Sequence, residues 1–190
     1  MKLSMIELQS KEKMISRIWT IGHSTRSIDD FISLLKKNEI NLLADVRSSP
    51  GSKRYPQFNK DALEKSLNTH GIRYEHFPEL GGRRKSNPNS RNTAWRNASF
   101  RGYADYIETE QFQQGIERLL ALARGAGTAA IMCAEAVWWR CHRSLISDFL
   151  KVRGIEVIHI LDANKIEPHP FTSAARIVDG KLSYAHESLL

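Results

Sequence analysis

"RIWTIGHSTRSIDDFISLLKKNEINLLADV", residues 17–46, changes its hydrophobic period twice. Apolar and polar residues alternate from Arg17 and stop at Gly22, the pattern of a strand running into a turn. Ser27 then stands as an N-cap with Asp30 three residues on, and Ile28, Phe31, Ile32 and Leu35 recur on one helical face. Leu42 to Val46 is a mostly apolar strand, halted by Ser49, Pro50 and Gly51. A strand, a helix and a second strand in this order predict a parallel pairing with the helix packed on the sheet.

The alternation continues outward. Asn59 to Gly71 reads as a capped helix closed by glycine, and Ile72 to Phe77 as a third strand. Helical periodicity then runs from Tyr103 to Gly125 through Phe112, Ile116, Leu119, Leu120 and Ala123. Thr128 to Ala134 is a short continuous apolar strand. Arg140 to Gly154 is a helix with Leu145, Ile146, Phe149 and Leu150 inward, and Ile155 to Leu161 is a fifth strand. The expected fold is therefore α/β, with a mostly parallel five-stranded sheet, helices on both faces, and a C-terminal β-hairpin turning at Asp179-Gly180 and appended to the sheet. We expect one such domain over residues 18–190, after an N-terminal extension of residues 1–17 and without an internal repeat. Residues 78–102 form the one long irregular stretch, a basic loop in which Arg83, Arg84, Lys85, Arg91, Arg96 and Arg101 are interleaved with Trp95 and Phe100.

Lys and Arg number 28 against 21 Asp and Glu, a net charge of +7, which favours an anionic small molecule or a nucleic acid as partner. The two cysteines make no disulfide framework and the N-terminus lacks the apolar core of a signal peptide, so a reducing cytoplasm is the expected compartment. No apolar run reaches the roughly 18 residues of a membrane span. Oligomeric state is not specified by any of these features.

Ligands of open α/β sheets bind beyond the carboxyl ends of the strands. There the first strand delivers His23 and Ser24, the second Asp45 and Arg47, and the fourth Cys133 and Glu135, while Arg140, Cys141, His142 and Arg143 lead into the next helix. Two chemistries are open. In one, Cys133 or Cys141 is a thiolate nucleophile, with His142 or His23 as base and Glu135 or Asp45 as carboxylate. In the other, Cys133, Cys141 and His142 bind a metal ion, although the seven intervening residues are not a zinc-finger spacing. Ser24, Arg47, Arg140, Arg143, Arg83, Arg84 and Trp95 are the candidates for holding an anionic substrate. No glycine-rich phosphate fingerprint follows any strand, which excludes dinucleotide and P-loop sites, and Arg140 lies one residue too far from Cys133 for a Cys-x5-Arg phosphatase loop. The opposing readings are plainer: Cys133 as a core residue, Asp45 and Arg47 as a structural ion pair, His76, His159 and His169 as satisfied polar groups, and the basic loop as a non-catalytic nucleic-acid-binding surface beside structural cysteines, with a redox or metal sensor using both cysteines as a third reading.

"TIGHST", "LLADVRSSPGSKRYPQFN", "ELGGRR", "NTAWRNASFRGYADY", "CAEAVWWRCHRSLI" and "ARIVDGKLSY", spread from Ile18 to Tyr184, together resemble the domain of unknown function 488 family of small bacterial and archaeal proteins. The resemblance implies an α/β domain and draws attention to Gly22, His23, Ser24, Asp45, Arg47, Cys133, Glu135, Cys141, His142 and Arg143; it names no reaction and no required cofactor. Trp138 stands where the resemblance leads one to expect proline.

Overall fold

The computed structural model describes residues 15–186. Five strands run parallel or nearly continuous with the sequence pattern: β1 (Arg17–Gly22), β2 (Leu42–Asp45), β3 (Arg73–His76), β4 (Ala129–Cys133) and β5 (Glu156–Ile160). A sixth, β6 (Ile166–Pro168), joins antiparallel beside β5, so the main sheet has six strands in the order β3-β2-β4-β1-β5-β6 rather than the expected five. Its three residues and terminal proline suit an edge position, and they are too few to show a period.

Helices cover both faces. α1 (Ile28–Lys37) and α2 (Lys60–Thr69) put Phe31, Leu35, Leu63 and Leu67 against Ile21, Leu43, Ala130 and Met132. α3 (Ala98–Ile107), α4 (Glu110–Ala126) and α5 (Arg143–Val152) put Tyr103, Phe112, Ile116, Leu145 and Ile146 against Leu42, Ala44, Ile131 and Cys133. Successive strand residues thus enter opposite layers, which is why β2 and β4, buried on both sides, read as unbroken apolar runs. Ser27 caps α1 as its spacing predicts, accepting from the Asp30 amide at 3.1 Å. The periodicity from Tyr103 to Gly125 spans two helices, because Thr109 restarts the chain as the N-cap of α4, accepting from the Phe112 amide.

The predicted hairpin forms as β7 (Arg176–Val178) and β8 (Lys181–Ser183), with Asp179 and Gly180 both at positive φ as a tight two-residue turn requires. It is a separate two-stranded sheet, not an addition to the main one. It is tied to α5 through Tyr184, whose hydroxyl donates to Asp148 at 2.9 Å. Of the N-terminal extension, residues 1–14 lie outside the described residues, and Arg17 already belongs to β1. Among the described residues no helix is long and apolar enough to cross a membrane.

The strand order positions the site. β4 inserts between β1 and β2, pairing Gly22 with Cys133 on one side and Asp45 with Met132 on the other. The chain order reverses there, leaving a crevice at the carboxyl edge with Cys133 at its centre.

Candidate active site

Cys133 ends β4 and Cys141 lies two residues before α5, next to its N-cap His142; both are buried. The two sulfurs and a ring nitrogen of His142 all lie within 4.8 Å of one another. His142 Nε2 donates to the Val46 carbonyl at 3.0 Å, which fixes the ring and turns Nδ1 toward Cys141 Sγ, 3.5 Å away. Gly82 makes room for this ring: a β-carbon there would lie 2.9 Å from His142 Nδ1. Gly22 has a similar function, since a β-carbon would collide with the Glu135 carbonyl.

The thiols are electrostatically unequal. Burial opposes ionisation of Cys141, but the hydrogen bond from Cys133, the His142 ring and Arg143 outweigh it and hold Cys141 well below the usual thiol range. Cys133 is pushed well above that range by its hydrogen bond to Cys141, by burial and by the charge of Cys141. Of the two, Cys141 is therefore the thiol favoured to ionise and Cys133 the one favoured to keep its proton.

Asp45 and Arg47 form a different unit. Arg47 grips the carboxylate in two-point fashion, Nε to Oδ1 at 2.8 Å and Nη2 to Oδ2 at 2.6 Å, and Tyr74 donates to Oδ2 at 2.7 Å. Burial works against the Arg47 charge, yet Asp45 more than restores it. His23 is caught in the same unit, with Nδ1 against the Ser24 carbonyl and Nε2 3.3 Å from Arg47 Nη1. Burial and Arg47 lower its pKa to about 4, so near neutral pH it is an uncharged ring with both nitrogens engaged. Its ring stacks on Phe58 at 4.2 Å.

Arg143 is almost fully buried and turned to the backbone, donating to the carbonyls of Glu135 and Ala136 and, at 3.4 Å, to Thr20 Oγ1. It shapes the loop after β4. From Thr20 a buried chain continues to His159 (2.7 Å), His169 (2.9 Å) and Asp148 (3.0 Å), where Thr172 and Tyr184 also donate. His159 and His169 are thus satisfied polar groups, as the sequence suggests, and Trp138 lies flat on His159 at 4.5 Å.

A cleft of about 740 Å³ opens beside the thiols, lined by His23, Ser24, Arg47, Cys133, Glu135 and His142 together with Arg54, Tyr55, Arg83 and the hydroxyls of Ser48, Ser49 and Ser52. A smaller pocket of about 170 Å³ adjoins it, lined by Arg140, Cys141, Phe100 and Tyr103. Ser24 and Arg83, both in the lining of the larger cleft, hold positive φ, a conformation that non-glycine residues adopt at a cost.

The structure therefore brings Cys133, Glu135, Cys141, His142, His23, Ser24, Arg47, Arg83 and Arg140 to one crevice. It sets Asp45 behind Arg47, and Arg84 over the Tyr106 ring with its donors on backbone carbonyls. Trp95 lines neither cleft; it packs between Phe100 and Tyr184. Arg54, Tyr55, Phe100 and Tyr103 complete the walls without having been marked as site residues by the sequence; only the interleaving of Phe100 with the basic loop hinted at one of them.

No curated protein and no solved structure matches the chain. One family model does, over residues 27–150, a span that includes both cysteines and the crevice residues from Asp45 to Arg143. The chain belongs to the family described as domain of unknown function DUF488.

Proposed function

We propose that the protein is a cytoplasmic enzyme that acts on a phosphate-bearing substrate, a nucleotide or nucleic acid, as a thiol-dependent hydrolase or transferase. The observation that carries this reading is the Cys141 sulfur 3.5 Å from His142 Nδ1, in the wall of the smaller pocket, which shares Arg83, Cys133, Glu135 and His142 with the cleft rich in hydroxyls and arginine. The Cys141 thiolate attacks the electrophilic centre and displaces a leaving group, and water or another acceptor then releases the thiol-bound intermediate. Glu135, exposed at the rim, is the carboxylate placed to take the acceptor's proton. Arg54 and Arg83 hold the phosphate. A protein working through a free thiol pair suits a reducing compartment.

One observation favours a second reading. Two thiols and an imidazole within 4.8 Å are a soft donor set of the kind zinc uses, with the other ring nitrogen already anchored to a carbonyl as metal-bound histidines commonly are. A single experiment separates the two: the rate of Cys141 alkylation in the native protein against pH, with and without a strong chelator. Fast labelling near neutral pH without chelator supports the nucleophile, and labelling that appears only after chelation supports the metal. Slow labelling under both conditions removes both readings.

A further inference from the structure

Resting on the reading of this crevice as a site for phosphate-bearing substrates, we propose that the substrate is a nucleotide unit whose ring enters the pocket of Phe100 and Tyr103 while its phosphate lies in the cleft by Arg54 and Arg83. The two cavities are one site in two chambers. They share Gly82, Arg83, Cys133, Glu135 and His142, so a molecule that fills both must pass across the thiols.

The chambers differ in chemistry. The larger one is walled by hydroxyls and by Arg54 and Arg83, neither of which has a carboxylate partner among the described residues. Arg47 lines it too, but its charge is already balanced by Asp45. Two unbalanced guanidinium groups with hydroxyl donors around them suit a phosphate and the sugar next to it.

The smaller chamber is lined by two aromatic side chains held in place, Phe100 and the buried Tyr103. Phe100 is stacked on Trp95 with centroids 4.8 Å apart, and Tyr103 is pinned by its hydroxyl to the Leu80 carbonyl at 2.7 Å. Such a wall needs little ordering when a ring docks, and its volume of about 170 Å³ suits one planar ring system, not an extended chain. Ser99 and Arg140 line the same chamber and supply groups for reading a ring edge. An unbranched sugar phosphate would leave the aromatic chamber empty, and an apolar ligand would leave the arginines unused.

The test is binding to the full chain of inorganic phosphate, ribose 5-phosphate, the four common ribonucleoside 5′-monophosphates and a single-stranded tetranucleotide. At least one monophosphate is expected to bind roughly tenfold or more tightly than ribose 5-phosphate, the scale of one base stacked on an aromatic side chain. Phe100→Ala should remove that advantage and leave ribose 5-phosphate affinity unchanged. Phe100→Leu, which keeps the apolar volume and loses the π-face, should do the same if the alanine variant fails to fold. A tetranucleotide that binds more tightly than any monophosphate would identify the source of the unit as a nucleic-acid strand; equal or weaker binding would identify it as free nucleotide. The proposal is overturned if no monophosphate exceeds ribose 5-phosphate, or if the Phe100 variants weaken both equally. Absence of binding by every phosphate-bearing probe would instead overturn the parent reading, a result visible in the ribose 5-phosphate measurement alone.

Discussion

Gly82 shows how little space holds the His142 ring against Cys141. An alanine there would press its β-carbon on His142 Nδ1 at 2.9 Å and turn the ring from Cys141. For Gly82→Ala we expect the midpoint of Cys141 alkylation to rise by about one pH unit, a tenfold loss of thiolate at a fixed lower pH, read by mass spectrometry across a pH series. Asp45 carries structure instead: Asp45→Ala leaves Arg47 buried without its counter-ion and should cost about 3–5 kcal/mol of unfolding free energy in urea denaturation. The sequence set Asp45 beside Cys133 and Glu135 in one group at the strand ends, and its type alone did not decide between a catalytic role and a structural ion pair. The difference lies in Tyr74, Phe58 and His23, partners from three separate segments that touch Arg47 or Asp45 only once the sheet has formed.

At the scale of elements, hydrophobic period was a good guide wherever an element is long and half-buried. α1, with its cap and its Phe31 and Leu35 stripe, lies where periodicity puts it. Thr109 was hidden because the apolar spacing continues across the break between α3 and α4, and only the cap hydrogen bond marks it. Thr109→Ala should therefore lower stability by about 1 kcal/mol without altering Cys141 reactivity, measured by thermal unfolding and alkylation in parallel. β6 escaped detection for the opposite reason, since three exposed or half-exposed residues carry no period. Of the basic loop, Arg84, Arg91 and Arg101 are engaged within the fold, with carbonyls or Glu108, so its positive charge is less available to a polyanion than composition suggests.

Across the whole molecule, buried neutral histidines couple stability to pH. His23 is lowered to about 4, and His159 to about 2 by burial, His169 and Arg143. Because the unfolded chain takes up these protons from about pH 6.5 downward while the folded chain does not, stability is complete above that pH and is lost as pH falls. Between pH 6.5 and 4 we expect a loss on the order of 2–3 kcal/mol for each ring, measured as urea midpoints at constant ionic strength. Tyr184→Phe tests the far end of the same buried chain: Asp148 loses one donor but keeps Thr172 and His169, so the expected cost is about 1–2 kcal/mol.

The insertion of β4 between β1 and β2 also bears on how the molecule is made. During synthesis the first two strands emerge early with no hydrogen bond to each other, because the strand that joins them begins only at Ala129. The nascent chain must carry two facing, unpaired strand edges through the production of everything between Asp45 and Ala129, and the sheet can close only by threading β4 into the gap. Pairings so distant along the chain fold slowly and expose strand edges meanwhile. The crevice that gathers the thiols thus cannot exist before β4 is made, and no truncated product ending before Cys133 can hold even an imperfect version of it.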